Sequence, residues 1–206
     1  MLTAVENNNV RSVYQDIAQH FNNTRVYKWS WVVDFLNKYT GDNLILDLGC
    51  GNGRNMVHNQ IKFIGIDNCD KFIHICRGKG LEVYNYNITD VRLKSNLVDA
   101  IICIAVFHHL STVEHRIEAL KEMKRLVKPG GKILISVWSI NQPANSKRHF
   151  NNYGNNIVLW NNYGTTYERF YYIFEVDEIK ELFKSIGLNL ISHELNYGNE
   201  IFTLTT

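Results

Sequence analysis

Leu44-Ile45-Leu46-Asp47-Leu48-Gly49-Cys50-Gly51-Asn52-Gly53-Arg54-Asn55 is the stretch that decides the fold of this chain. An apolar run ends in an acid, and three glycines follow at every second position. Apolar residues at consecutive positions predict a strand buried on both faces, the pattern of a parallel sheet. Glycines then let the backbone turn tightly and approach a ligand where a Cβ would collide. A short helix is expected after the glycines, its free N–H groups turned to that ligand.

The glycine spacing bears on which ligand. A dinucleotide fingerprint reads G-x-G-x-x-G after a strand. Gly49 and Gly51 fit it, but Arg54 occupies the third position and the glycine sits one residue early at Gly53. Asp47 is a poor neighbour for a pyrophosphate and a good one for a cation. S-adenosylmethionine carries an ammonium and a sulfonium and no phosphate, so the acid suits it. The alternative is a tight strand-to-helix turn with no ligand. The segment resembles the first motif of the Rossmann-like methyltransferases.

The 206 residues are enough for one domain with a full core. Net charge is +2, so charge alone does not announce a nucleic-acid protein. Cys50, Cys69, Cys76 and Cys103 form no C-x-x-C pair and read as reduced structural thiols. No apolar stretch approaches the roughly 20 residues of a membrane span, and residues 1–9 lack the parts of a signal peptide. A cytoplasmic protein is the expectation.

Val10, Val13, Tyr14, Ile17, Ala18 and Phe21 recur at helical spacing, predicting a helix over 10–21, and a second fits 28–38. Strands are expected at 44–48, 62–66, 81–86, 97–104 and 132–138, the last entered by a hard turn at Pro129-Gly130-Gly131. Helices are expected at 70–77, at 112–127 behind Ser111 as cap, and at 176–186. Residues 139–165 read as irregular, and two strands at 188–195 and 200–205 close the chain. Strands alternating with helices predict an α/β fold, a doubly wound, mostly parallel sheet; the resemblance implies the seven-stranded, Rossmann-like class I methyltransferase form of it, with N-terminal helices. One domain spans 1–206, with 1–40 and 139–174 as substrate-side segments.

Ligands in open α/β sheets sit at the carboxyl ends of the strands, at the switch point beside the first. Converging there are Asp47, Gly49, Cys50, Gly51 and Gly53 after strand one, and Asp67 and Asn68 after strand two. Asn87 and Ile88 follow strand three, and Ala105 ends strand four. A carboxylate at Asp67 can accept both hydroxyls of a ribose.

A narrower resemblance appears at Ile104-Ala-Val-Phe-His108-His109-Leu-Ser-Thr-Val-Glu-His-Arg116. The His-His-Leu-Ser-Thr run with a downstream Arg resembles the family that methylates 5-carboxymethyluridine at the tRNA wobble position. The stretch from Tyr14 through His20-Phe21-Asn-Asn-Thr24-Arg25 to Trp29 is similar to that family's N-terminal motif. Ile157-Val-Leu-Trp160 resembles its V-x-V-P-W segment, Arg169-Phe-Tyr-Tyr-Ile-Phe174 its R-Y-Y-H-x-F segment, and Tyr197-Gly-Asn199 its G-N-W. Departures are Asn87 in place of an acid, Leu159 in place of a proline and Glu200 in place of a tryptophan. The resemblance implies transfer of a methyl group from S-adenosylmethionine to the carboxylate of 5-carboxymethyluridine in the tRNA anticodon loop. It also implies a small zinc-binding activator subunit as partner, docked by strand pairing on the 81–86 edge.

A carboxylate acceptor has a pKa near 4 and needs no general base at neutral pH. Its attack needs in-line positioning, and one donor on the non-attacking oxygen is better than a grip on both. His20, Arg25 and His108 are the catalytic candidates; His109 reads as a packed or surface group. For the RNA, Tyr14, Trp138, Arg148, Arg169 and Tyr171 are the substrate-binding candidates, since aromatics beside cations suit an unpaired base. No metal site is expected: His108, His109 and His115 match no zinc spacing. Two rival readings stand beside this one, a methyltransferase for a small carboxylic acid and a catalytically silent partner subunit of the same fold.

Overall fold

The computed structural model describes residues 1–58 and 60–206. Its sheet has seven strands in the order β3-β2-β1-β4-β5-β9-β8. These are β1 Leu44–Leu48, β2 Lys62–Asp67, β3 Val83–Asn85, β4 Val98–Ile104, β5 Val127–Trp138, β8 Asn189–Asn196 and β9 Asn199–Thr205. The first five pair in parallel, and β9 runs antiparallel to both β5 and β8. The order reverses at β1, so the carboxyl ends of β1 and β4 flank the switch point.

Alternation along the strands builds the two sides of the core. Leu46, Leu48, Ile101 and Cys103 pack with Ala119, Leu120 and Met123 of α5 (Val113–Leu126) and Phe183 of α6 (Val176–Ser185). Ile45, Ala100, Ile102 and Leu134 face the opposite way. They meet Val32, Phe35 and Leu36 of α3 (Ser30–Leu36) and Ile73 and Cys76 of α4 (Asp70–Gly78). Asp47 shares the second side with Ile45, which puts a carboxylate inside an apolar wall.

The N-terminal helix is longer than 10–21. It runs as α1 (Ala4–Glu6), a π-helical segment Asn7–Arg11, and α2 (Ser12–Thr24). Thr3 and Glu6 form a reciprocal capping box at its start. The Glu6 carboxylate also takes the Ser111 N–H at 2.8 Å and lies 2.7 Å from Nδ1 of His115, anchoring the helix to the start of α5.

Five expectations are corrected. Among the described residues no helix follows the glycines; 50–56 form turns, because Gly51 (φ +53°) and Gly53 (φ +75°) take left-handed conformations that a right-handed helix cannot contain. Strand β3 shrinks to Val83–Asn85, since only Gly65, Ile66 and Asp67 oppose it. The cap of α5 is Thr112, whose side chain accepts the His115 N–H, not Ser111. Residues 139–165 are not all irregular: β6 (Gly154–Asn162) and β7 (Thr165–Ile173) form a separate antiparallel hairpin. Pro129-Gly130-Gly131 lies within β5 as a bulge, the register with β4 stepping from Val98–Val127 to Ala100–Lys132.

Among the described residues, no helix is long and apolar enough to cross a membrane.

Candidate active site

A cavity of about 880 Å³ opens at the carboxyl ends of the parallel strands. The sheet supplies its floor, α1 and α2 one wall, and the β6–β7 hairpin another. One end is lined by Gly49, Cys50, Gly51, Asp67, Asn68, Asn87, Ile88 and Ala105. A Cβ on Gly49 would meet the Val106 side chain at 2.3 Å, so only glycine lets β1 and the turn after β4 come this close. Ala105 holds φ +57°, a left-handed conformation unusual for a residue with a side chain, at the cavity wall. Arg11 reaches across to the Asn68 carbonyl at 3.0 Å and so ties the N-terminal helix to the loop after β2.

Two carboxylates serve this end differently. Asp67 accepts the Gly51 N–H at 2.8 Å and the Cys69 N–H at 2.9 Å, which fixes the glycine loop and the start of α4. Burial outweighs these bonds and pushes its pKa up to about 6. Asp47 lies beneath the glycine loop and does not line the cavity; neither carboxylate oxygen has a hydrogen-bond partner. Burial, and after it the charge of Asp67, raises its pKa to about 7. An orphaned buried carboxylate asks for a cationic or hydrogen-bonding partner. Gly53 also stands behind the cavity, its Cβ direction closed by Leu81 at 2.4 Å. The chain therefore has residues fitted to a nucleoside with a cationic tail: an orphaned acid, an exposed glycine backbone and a carboxylate at the end of β2.

The other end is aromatic and basic. Tyr171 stacks on Trp138 with ring centroids 4.1 Å apart and planes 9° apart. Arg148 lies over Trp138 at 4.5 Å, and Arg169 donates to the Tyr171 hydroxyl at 2.7 Å. Arg25 and Arg169 lie over Trp160 at 5.0 and 4.7 Å. Among the described residues, none of Arg25, Arg54, Arg148 and Arg169 is paired with a carboxylate. Burial, and after it repulsion from Arg169, lowers the pKa of Arg25; burial and then Arg25 do the same to Arg54. Trp160 Nε1–H donates to Nδ1 of His20 at 3.1 Å. The His20 proton in the neutral ring is therefore on Nε2.

The adjacent histidines exchange the places expected of them. His108 is buried and does not reach the cavity: its Nδ1 accepts the Trp138 backbone N–H at 3.0 Å, and its Nε2 has no partner. His109 lines the cavity. Its Nδ1 sits 2.7 Å from the Phe170 carbonyl and so must donate, which leaves Nε2 to accept from the Tyr14 hydroxyl at 3.0 Å. Both residues lie on the tight 3-10 turn Phe107–His109, where neighbouring side chains point about a third of a turn apart. Burial lowers the pKa of both, His109 to about 3 and His108 well below the usual value.

Of the residues singled out from the sequence, His20, Arg25, Tyr14, Trp138, Arg148, Arg169 and Tyr171 meet at the basic end. Arg54, His109 and Trp160 also line the cavity. Trp160 lay within a quoted motif, but nothing in composition marks Arg54 or separates His109 from His108. Among the described residues, no group of three or more His, Cys, Asp or Glu is placed to hold a metal ion.

Comparison with known proteins agrees with this architecture. Residues 46–135 match the family described as methyltransferase domain. The tRNA (carboxymethyluridine(34)-5-O)-methyltransferase of Schizosaccharomyces pombe is 32% identical over 217 residues, which cover 94% of this chain and 94% of that protein. The Arabidopsis thaliana protein of the same name is 43% identical over 69% of this chain and 35% of its own length. ALKBH8 of Macaca fascicularis, also so named, is 37% identical over 70% of this chain. The chain spans only 22% of that longer relative. Among solved structures, an S-adenosylmethionine-dependent methyltransferase from Clostridium acetobutylicum superposes with TM-score 0.71 at 14% identity, covering 94% of this chain and 98% of that one.

Proposed function

This chain belongs to the tRNA (carboxymethyluridine(34)-5-O)-methyltransferase family, and from that premise we propose that it methylates the carboxylate of 5-carboxymethyluridine at the wobble position of tRNA. The observation that carries the reading is the set of Arg25, Arg148 and Arg169, which line one end of the cavity without carboxylate partners. Such a site is built for an anion, and the stacked Trp138 and Tyr171 beside it give that end an aromatic wall.

S-adenosylmethionine, the cofactor of this reading, supplies an electrophilic methyl group. Gly49, Cys50, Gly51, Asn68, Ile88 and Ala105 would form its cradle, with Gly53 behind them shaping the turn. Asp67 would take the ribose hydroxyls and Asn87 the adenine amino group through its amide oxygen; Asp47, sealed beneath the glycine loop, would act on the ammonium through its charge and not by lining the cavity.

The acceptor carboxylate is already ionised at neutral pH, so no residue need remove a proton. The work left to the chain is positioning and exclusion of water. Arg25 and the Nε2–H of His20 flank Trp160, and each can donate to the non-attacking oxygen. Tyr14 and Tyr171, joined through their hydroxyls at 3.4 Å, close the wall behind the base. His108 acts through Trp138 as a positioning residue, holding the backbone under the ring that Arg148 and Tyr171 cover.

We also propose that the small zinc-binding activator subunit pairs with β3 and that the enzyme works in the cytoplasm. The four cysteines are free and buried, as a reducing compartment allows. β3 is an edge strand, and Gly65 N–H bonds the Glu82 carbonyl. In a parallel ladder that alternation turns the Val83 N–H outward.

The test is incubation of the purified chain, alone and with the activator subunit, with tRNA containing 5-carboxymethyluridine and labelled cofactor, followed by nucleoside mass spectrometry. The expected product is the methyl ester at the wobble uridine. Methylation of free carboxylic acids with none on tRNA would overturn the assignment in favour of a small-molecule enzyme.

A further inference from the structure

The tip of the β6–β7 hairpin carries a residue that folding does not explain. Asn162-Tyr163-Gly164-Thr165 is a two-residue turn with φ +48° at Tyr163 and +90° at Gly164. Turns with two positive φ values favour Asn-Gly, because Asn tolerates the left-handed conformation and an aromatic side chain does not. Tyr163 is also 89% exposed, so packing does not offset the strain. Strain held at an unpacked position points to a use.

The location says which use. The hairpin belongs to no other sheet, and Val158, Leu159, Trp160 and Asn161 next to its tip line the cavity. The Tyr163 ring centroid lies 5.4 Å from that of His20, and His20 lies 5.4 Å from Trp160. Three rings thus form a row from solvent into the basic end of the cavity. Arg25 and Arg169 stand over the innermost ring. An exposed ring leading into cations is how proteins receive unpaired nucleotides: bases stack on the ring and phosphates meet the cations.

We propose that Tyr163 is a stacking platform for the nucleobase adjacent to the methylated uridine, so that the hairpin tip reads an unpaired anticodon loop and not the target nucleoside alone. The inference rests on the wobble-uridine reading above and adds a substrate contact to it. It explains why the tip keeps Tyr where Asn would fold better. With the target base in the cavity, the next base of the loop is left at the lip, where Tyr163 stands.

Binding of a synthetic anticodon stem-loop RNA, followed by fluorescence anisotropy, tests this without needing turnover. Tyr163→Asn keeps the turn and removes the ring. The expected result is a loss of RNA affinity of roughly 5- to 150-fold, the range for one base–aromatic stack, with an unchanged or higher melting temperature. Tyr163→Phe should bind as the unaltered protein does. A stem-loop abasic at the neighbouring position should lose the same factor on the unaltered protein and nothing further on Tyr163→Asn, since the two changes remove one contact. Equal RNA affinity for Tyr163→Asn and the unaltered protein overturns the proposal, as does a fully additive abasic effect. The enzymatic reading fails separately, if the unaltered protein binds the stem-loop and Tyr163→Asn weakens it but no wobble methyl ester forms.

Discussion

The backbone N–H of Trp138 donates to Nδ1 of His108 at 3.0 Å, joining the end of β5 to the turn after β4. An imidazole that accepts at Nδ1 carries its proton on Nε2 and is neutral. Burial favours the same state. The residue that the sequence offered as a catalytic group is thereby fixed as a strut under the Trp138 ring.

The consequence is measurable in the pH profile. If His108 positions Trp138, kcat on tRNA should carry no limb from His108 between about pH 6 and 8, because burial holds it well below its usual range. His108→Ala strands the Trp138 N–H and should lower kcat/KM about 5- to 100-fold, the cost of one buried unmet donor. His108→Asn, whose amide oxygen can accept, should recover much of that. A kcat limb near pH 6.5 that vanishes in His108→Asn would instead make His108 a titrating participant.

In the proposed acceptor site Arg25 would be the exposed end, its guanidinium over Trp160 at 5.0 Å. Arg25→Ala should cut turnover on tRNA by about 10- to 150-fold, the worth of one charge-assisted hydrogen bond. Cofactor affinity by calorimetry should be unchanged. Parallel loss of both would mean that the Arg25 side chain supports the cavity as a whole and is not a donor to the acceptor alone; the Arg25 carbonyl, which accepts from Asn52 Nδ2 at 3.0 Å, is kept in Arg25→Ala.

Legibility in the sequence follows from how local each determinant is. Strand β1 and its glycine loop were readable because an unbroken apolar run and backbone-permissive residues state their own geometry. The missing helix after them was not, since it depends on φ at Gly51 and Gly53, which composition leaves open. Strand β6 is hidden in the sequence because Asn residues crowd both its ends, while Ile157 and Leu159 point to solvent. His108 and His109 could not be told apart because direction on a 3-10 turn is set by the tertiary partners Trp138 and Phe170. Glu200, a departure from the family's tryptophan, is satisfied by Ser139 Oγ at 2.5 Å and His193 Nε2 at 2.7 Å, partners that lie 61 and 7 residues away along the chain.

Asp47 makes the cofactor-free protein pH-sensitive. Its folded pKa of about 7 exceeds the unfolded value of 3.8, so the folded state holds the proton longer and stability falls as pH rises from about 4 to 7. Asp47→Asn removes that loss. The cofactor-free variant should melt above the unaltered protein at pH 8, and the difference should vanish towards pH 4. The same variant should bind S-adenosylmethionine far more weakly. Below pH 7 the unaltered protein should release up to one proton on binding, detected by calorimetry in buffers of different ionisation enthalpy. Proton release that persists in Asp47→Asn would place the titrating group elsewhere.

The open edge at β3 gives the final prediction. Val83–Asn85 has β2 on one side only, and three residues is short for a strand that must stand alone. Natural edges are protected by charge, proline or cover; this one carries neither charge nor proline within 83–85, and its cover at Val83 is one long bond from Arg77 Nη2 to the carbonyl at 3.4 Å, which a partner strand would displace. Beside it Tyr84 and Tyr86 stack at 6.0 Å with planes 3° apart, a flat apolar surface on which a partner strand's side chains can lie. Pairing there would be β-augmentation, with backbone bonds giving affinity. Val83→Pro deletes the outward N–H while leaving the Glu82 and Tyr84 positions that face β2. Co-expressed with the zinc-binding activator subunit, the unaltered chain should co-purify with it and gain solubility and activity on tRNA. Val83→Pro should lose all three while its cofactor affinity holds. A chain that is fully active and monomeric alone, and that ignores the subunit in pull-downs, would remove the partner and leave the β3 edge as a feature of the monomer.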